Sequence, residues 1–226
     1  MNITHEHPEY IKMRNSLGSA KNNGAYYYSK EIVDNIIPNV KTTREWNTVG
    51  QDLDGMHDGM IVFLHSNATP WIYSWLKKYK DLVLVCSCDY VRRSVQFSGH
   101  TVFLPMSVDT EYVKKFKVKE KTRDVCFVGN PWVLDNAHER WEKMHPYVDI
   151  LSSRPRDELL RELAKYEKAY AIDRCAIEAK ILGCELLPIK TRYSVDNIGT
   201  VLDNRDAAKI LQEELNKIDG GKNGSI

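Results

Sequence analysis

Long apolar runs, an excess of charge of one sign and a dense cysteine pattern are all missing from this 226-residue chain. No apolar run reaches the length that a membrane-spanning helix needs. The formal charge of +1 provides no general attraction for nucleic acid or for a membrane surface. The start of the chain lacks the basic-then-apolar order of a signal peptide. The five cysteines lie in apolar strand-like or helical stretches, so we expect reduced thiols in a cytoplasmic protein.

Short apolar runs alternate along the chain with segments of helical periodicity. The runs are continuous rather than alternating with polar residues, which indicates strands buried on both faces, as in parallel sheets. The pattern therefore predicts an α/β fold with parallel sheets. The first predicted helix ends at Pro38 and carries Tyr28, Ile32, Val33, Ile36 and Ile37 on one face. Residues 41–59, between this helix and the first strand, are predicted to be a loop. The predicted strands are residues 60–66, 82–88 and 101–106 in the first half and 124–130, 147–153 and 168–172 in the second.

A lysine-rich stretch separates two α/β halves, each of a size that suits a small Rossmann-like domain. We predict a shortened amino-terminal domain over residues 1–108, a linker over 109–123 and a carboxyl-terminal domain over 124–226. The last helix has the length to cross back onto the first domain. No internal repeat or low-complexity tract is present in the sequence.

The segment "AYAIDRCAIEAKILGCELLPI", residues 169–189, predicts a strand, a helix and a second strand. Arg174 falls at the predicted helix start, where a cation opposes the helix dipole at a cost of about 0.3–1 kcal/mol. Glu178 lies one turn later. One interpretation is an ordinary salt bridge between residues four apart. The other is a ligand site, in which the arginine meets phosphates and the carboxylate accepts hydrogen bonds from a ribose.

Four stretches, taken in order, resemble the GT-B glycosyltransferases. "NNGAYYYSKEIV" is similar to that family's glycine loop and first helix, and residues 105–110, "PMSVDT", are similar to its "PNGVDT" crossing between domains. "DVCFVGN" is similar to the strand that ends "VGR" in the second domain. "RCAIEAKILGCELLPI" matches the pattern L-E-A-x-A-x-G-x-P-V-I. The whole is most similar to short glycosyltransferase-like proteins encoded in phages and prophages of Gram-positive bacteria.

The resemblance implies two Rossmann-like domains that bind a nucleotide-diphosphate sugar as substrate, without a metal ion or another cofactor. Glu178 would hold the ribose, and Gly129 would let the backbone approach the phosphate. His65, at the end of a predicted strand, would position an acceptor hydroxyl or merely close a loop, and it is named with Arg174 as a catalytic candidate. Arg140 and Lys143 would hold the diphosphate, or else lie on a solvated helix face with Glu139 and Glu142 as partners. The complete predicted nucleotide-sugar site is Gly24, Gly129, Asn130, Arg140, Lys143, Asp173, Arg174 and Glu178.

Two departures from the family pattern keep other functions open. Asn130 stands where the family has an arginine, and Tyr170 stands where the family has its earlier carboxylate. A non-catalytic nucleotide or nucleotide-sugar binding protein on the same fold is therefore one alternative. Another is a phage enzyme of the host cytoplasm whose acceptor is modified DNA, which the neutral net charge does not favour. The lysines of residues 114–121 are most simply a solvated linker face, and otherwise they would meet such a polyanionic acceptor. Sugar, base and acceptor are not visible in the sequence.

Overall fold

The computed structural model describes residues 31–48, 56–64, 76–87, 92–93, 97–129, 148–151, 154–172, 174–189 and 201–222. These residues form an α/β structure with two four-stranded parallel sheets, which is consistent with Rossmann-like folds. The predicted fold class of parallel α/β sheets is thus confirmed.

The first sheet contains four parallel strands in chain order. Its two central strands are fully buried, as their continuous apolar sequences predict. The first edge strand lies within residues 41–59, so the prediction of a loop there was wrong. That strand has only three residues and no apolar run, and it forms by pairing with its neighbour, Trp46 opposite Ile61. The strands are β1 (Trp46–Thr48), β2 (Ile61–Leu64), β3 (Val83–Cys86) and β4 (His100–Phe103).

The structure describes the helix predicted before Pro38 from residue 31 onward. Ile32–Ile36 forms a π-helical turn, and Ile37–Asn39 continues it as a 3-10 turn that contains the proline. Ile32 and Ile36 are buried, in agreement with the predicted apolar face. The predicted end of the helix is thus close to the observed one.

The second sheet contains the strands β5 (Arg123–Val128), β6 (Asp149–Leu151), β7 (Tyr166–Ala171) and β8 (Glu185–Leu186). Their order in the sheet is β6-β5-β7-β8, and all of them are parallel. The predicted strand–helix–strand over residues 169–189 is confirmed as β7, helix α3 (Arg174–Ile181) and β8. Gly183, with φ +84°, ends α3, and Gly183 and Cys184 donate backbone hydrogen bonds to Lys180 and Ala179. This is the Schellman arrangement that glycine favours. The helix between β6 and β7 is α2 (Arg156–Leu163).

The chain divides into two compact units, one for each sheet. The described residues up to Pro105 and those from Arg205 onward form the first unit, and Met106–Asn204 belong to the second. Helix α4 (Asn204–Lys222) therefore lies almost wholly in the first unit, whereas the predicted boundary left it with the second half and allowed it to cross back. The buried guanidinium of Arg44 holds this helix by a 2.8 Å ion pair with Asp219.

Residues 109–123, predicted to be a linker, belong to the second unit and carry helix α1 (Thr110–Lys114). Asp109 caps this helix by accepting a hydrogen bond from the Tyr112 amide. The Lys121 ammonium donates to the carbonyl oxygens of Ala164 and Leu182, at 2.9 and 2.8 Å. Those carbonyls lie at the carboxyl ends of α2 and α3, where the helix dipole favours a cation. Lys121 therefore holds the ends of these two helices, in contrast to the solvated face predicted for the lysines of residues 114–121.

Candidate nucleotide site

The carboxyl edge of the second sheet contains a topological switch point. The chain leaves central strand β5 for β6 on one side and then returns to β7 on the other side. In open parallel sheets with this order, ligands bind beyond the carboxyl ends of the two strands at the switch. Here those ends lead into Gly129 after β5 and into the first turn of α3 after β7. The sequence-predicted residues Gly129, Arg174 and Glu178 thus lie in the elements that border this edge.

Arg174 and Glu178 form an ion pair across the first turn of α3. Nε of Arg174 donates to Oε1 of Glu178 at 3.0 Å, and the two residues are only 4% and 3% exposed. The salt-bridge interpretation of the sequence is therefore realised in this structure. The pair supplies the arginine with a carboxylate at the positive end of the helix dipole, where a lone cation would be unfavourable.

A second arginine contacts the same carboxylate. Arg156, the first residue of α2, donates from Nη2 to Oε1 of Glu178 at 3.2 Å, and its side chain is 13% exposed. It did not stand out in the sequence, because the two residues are 22 positions apart. One signal could have found it. Like Arg174, it is a cation placed at the start of a helix, which is the end that favours anions.

The two oxygens of Glu178 differ in their contacts. Oε1 accepts from both guanidiniums, whereas Oε2 accepts no hydrogen bond from any of the residues described. An ionised carboxylate has about four lone-pair sites on its two oxygens, so Oε2 can accept further hydrogen bonds. The site therefore contains a nearly inaccessible carboxylate whose second oxygen has capacity for a hydrogen-bond donor such as a hydroxyl.

Tyr112 of α1 lies beside this cluster. The Arg156 guanidinium carbon is 5.2 Å from the centre of the tyrosine ring, a cation–π contact. The tyrosine hydroxyl donates a hydrogen bond to Asp157, the residue that follows Arg156. This hydrogen bond, assisted by burial, raises the pKa of Tyr112 to about 12. The hydroxyl therefore stays protonated at neutral pH and keeps the ring in place.

Gly129 has a packing role in addition to the predicted one. Its φ of +134° is a conformation that side-chain-bearing residues rarely adopt, and a Cβ atom there would lie 2.3 Å from Cγ1 of Ile172. The glycine thus allows the end of β5 to approach the end of β7 closely. Its predicted role, an approach of the backbone to a phosphate, stays a prediction.

The other predicted site residues lie outside the described residues: Gly24, His65, Asn130, Arg140, Lys143 and Asp173. Their predicted roles stay predictions. Tyr170, which stands in place of the family's earlier carboxylate, lies within β7 and pairs with Phe127 of β5.

The opposite, amino edge of the second sheet carries its own polar network. Arg123 donates to the hydroxyl of Tyr166 at 2.7 Å, and that hydroxyl donates to Asp149 at 2.7 Å. Burial, with the Asp149 hydrogen bond, raises the pKa of Tyr166 to about 12. These residues begin β5, β7 and β6 respectively, so the network joins the strand starts at the edge where such sheets do not bind ligands.

Comparisons with protein-family models, with curated proteins and with solved structures return no significant match. Among the residues that the structure describes, no helix combines the length and apolar character needed to cross a membrane. The same residues contain no group of three or more His, Cys, Asp or Glu side chains arranged to hold a metal ion. The geometry of the site therefore has to support a functional proposal by itself.

Proposed function

We propose that this protein is a glycosyltransferase that moves a sugar from a nucleotide-diphosphate donor to an acceptor. Two Rossmann-like domains in the GT-B arrangement are part of the proposal. The observation that supports it best is the Glu178 carboxylate near the switch point of the second sheet, held by two arginines through one oxygen while the other oxygen has capacity for a donor.

The carboxylate suits the ribose of a nucleotide. A hydroxyl of the vicinal diol would donate to Oε2, and hydrogen bonds to an ionised acceptor are stronger than those between neutral groups. Because Glu178 is 3% exposed, a bound hydroxyl would meet little competition from water. In dinucleotide-binding Rossmann folds, an Asp or Glu side chain accepts a hydrogen bond from the ribose in a comparable way.

The arginines suit the chemistry of transfer. Breaking the bond between sugar and phosphate leaves a nucleoside diphosphate, so the barrier falls when its developing negative charge is stabilised. Arg174 at the start of α3 is our candidate for this stabilisation, with Arg140 or Lys143 as further cations. His65 would position the acceptor hydroxyl. We assign no general base and no stereochemical outcome.

Tyr170 favours a second candidate function, a nucleotide or nucleotide-sugar binding protein without catalysis. A tyrosine inside β7 supplies no carboxylate where the resemblance expects one. Such a protein would use Glu178 in the same way and would bind donor without turning it over.

Two measurements test the proposal. The purified protein is denatured to release any bound small molecules. Mass spectrometry of the released molecules is expected to find a nucleotide or nucleotide sugar. A panel of uridine, guanosine and adenosine diphosphate sugars is then incubated with the protein, and release of the nucleoside diphosphate is followed. Slow hydrolysis of one donor, lost in Arg174→Gln, supports a transferase. Binding without turnover of any donor or transfer to any acceptor tested supports the second candidate.

A further inference from the structure

Arg156 connects three helices of the second unit. From α2 it donates to Oε1 of Glu178 on α3, and its guanidinium lies against the ring of Tyr112 on α1. Asp157, the next residue of α2, accepts the hydroxyl hydrogen bond of the same tyrosine. The resemblance to glycosyltransferases assigns no role to Arg156, Tyr112 or Asp157.

These contacts restrict the orientation of the guanidinium in two ways. The tyrosine ring makes a cation–π contact with the guanidinium, and the carboxylate accepts a hydrogen bond from one of the guanidinium nitrogens. A lysine at this position would keep the charge, but it would lose the planar group that can do both. The ring itself packs, partly buried, against the core of the second unit, and its hydroxyl is held by the hydrogen bond to Asp157. The geometry is thus that of a guanidinium held in one orientation before any ligand arrives.

The orientation of Arg156 has a consequence for Glu178. Rotation about the last side-chain bond of a glutamate is soft, so a carboxylate turns easily unless its oxygens are held. Arg156 and Arg174 approach from different helices and share Oε1, at 3.2 and 3.0 Å. Two donors on one oxygen define the direction in which the other oxygen points.

We propose that Arg156, supported by Tyr112, is a positioning residue that holds the Glu178 carboxylate so that Oε2 receives a hydroxyl of the ligand's ribose. This inference rests on the proposed function, because it takes the ligand to be a nucleotide. Arg156 acts on recognition of the ribose diol through Glu178, and not through the nucleobase.

The test compares ligands with and without the diol. Isothermal titration measures the affinity of the parent protein and of Arg156→Gln for uridine, guanosine and adenosine diphosphates and for their 2′,3′-dideoxy forms. For the diphosphate that binds best, we expect Arg156→Gln to lower the ratio of ribose to dideoxyribose affinity about tenfold, the scale of one charge-assisted hydrogen bond. A residue needed only for folding would weaken both ligands alike and leave the ratio unchanged.

Three further variants make the result decisive. Arg154→Gln is the matched control, because Arg154 lies two residues before Arg156, pairs with the exposed Glu158 at 2.8 Å and has no hydrogen bond to Glu178 among the described residues. It is expected to keep the parent ratio. Tyr112→Leu removes the support of Arg156 while leaving both charged residues, so it is expected to lower the ratio in the same direction, and it replaces Arg156→Gln if that variant fails to fold. Glu178→Gln is expected to bring the ratio of ribose to dideoxyribose affinity close to one.

The outcomes separate the two proposals. If Glu178→Gln abolishes the preference for the diol while Arg156→Gln and Tyr112→Leu keep it, the positioning role is overturned and the proposed nucleotide site stands. If the parent protein binds none of the diphosphates, or binds dideoxy and ribose forms equally, both proposals are contradicted.

Discussion

Arg174 and Glu178 form a nearly inaccessible ion pair across one turn of α3, with 3.0 Å between Nε and Oε1. The arginine that opposes its own helix dipole thus has a carboxylate partner within the same helix. Pairing and ligand binding are compatible, because the pair uses one oxygen of the carboxylate and the second arginine uses the same one. The pair is therefore part of the construction of the proposed site.

The pair makes a prediction about the stability of the empty protein. The sequence alone led us to expect that losing a cation at a helix start stabilises the empty chain. With the buried pair in place, we predict that Arg174→Gln lowers the free energy of unfolding by about 1–3 kcal/mol, because the lost charge-assisted hydrogen bond outweighs the relief of about 0.3–1 kcal/mol from the dipole. Urea denaturation measures the difference.

Lys180→Gln is the control for that measurement, since Lys180 is exposed at the other end of the same helix. It is expected to change the free energy of unfolding by less than about 0.5 kcal/mol. An Arg174→Gln protein as stable as the parent would show that the pair contributes nothing to the fold.

Gly129 yields a prediction about backbone geometry. Gly129→Ala places a Cβ 2.3 Å from Cγ1 of Ile172 in a backbone conformation that alanine rarely adopts. We expect a loss of at least about 2 kcal/mol in the free energy of unfolding. Gly220→Ala is the matched control, because that glycine lies in helix α4 with open space around its Cβ position. It is expected to stabilise the protein by about 0.5–1 kcal/mol. Equal effects of the two alanines would refute the close approach at Gly129.

The tyrosine at the amino edge predicts a pH dependence. The folded protein holds the Tyr166 proton up to a pKa of about 12, above the ordinary value of 10.0. Between these values the unfolded chain has lost the proton that the folded protein keeps, so the contribution of Tyr166 is complete below pH 10 and falls as pH rises. The expected slope is up to about 1.4 kcal/mol per pH unit.

Denaturation of the parent protein and of Tyr166→Phe from pH 9 to pH 12 isolates this slope. The difference in free energy of unfolding between the two proteins is expected to shrink as pH rises, because the phenylalanine has no proton to lose. A difference that stays constant to pH 12 would mean that burial and the hydrogen bond to Asp149 do not raise the pKa of Tyr166.

The sequence predicted the features that depend on neighbouring residues and missed those that depend on contacts between distant parts of the chain. Strands β2 and β3 were predictable because each is a continuous apolar run that is buried along its whole length. The pairing of Arg174 with Glu178 was predictable because both partners lie on one turn of one helix. Strand β1 was missed because three residues with a central asparagine acquire their structure only from pairing with β2.

Arg156 was missed for a related reason. Its partners Tyr112 and Glu178 are separated from it by long stretches of chain, and only the packing of three helices brings them together. No spacing rule connects such residues. The position of Arg156 at a helix start was the one local sign, and it does not name the carboxylate that the arginine contacts.

The central claim, that Glu178 belongs to a nucleotide site, is tested most directly by equilibrium binding of nucleoside diphosphates to the parent protein and to Glu178→Gln. Glu158→Gln, an exposed glutamate that pairs with Arg154, is the control. We predict that one diphosphate binds the parent and Glu158→Gln alike and binds Glu178→Gln about 1–3 kcal/mol more weakly, since a neutral amide replaces the ionised acceptor. Equal affinities of a folded Glu178→Gln and the parent would contradict the account and reduce the cluster to a structural ion pair.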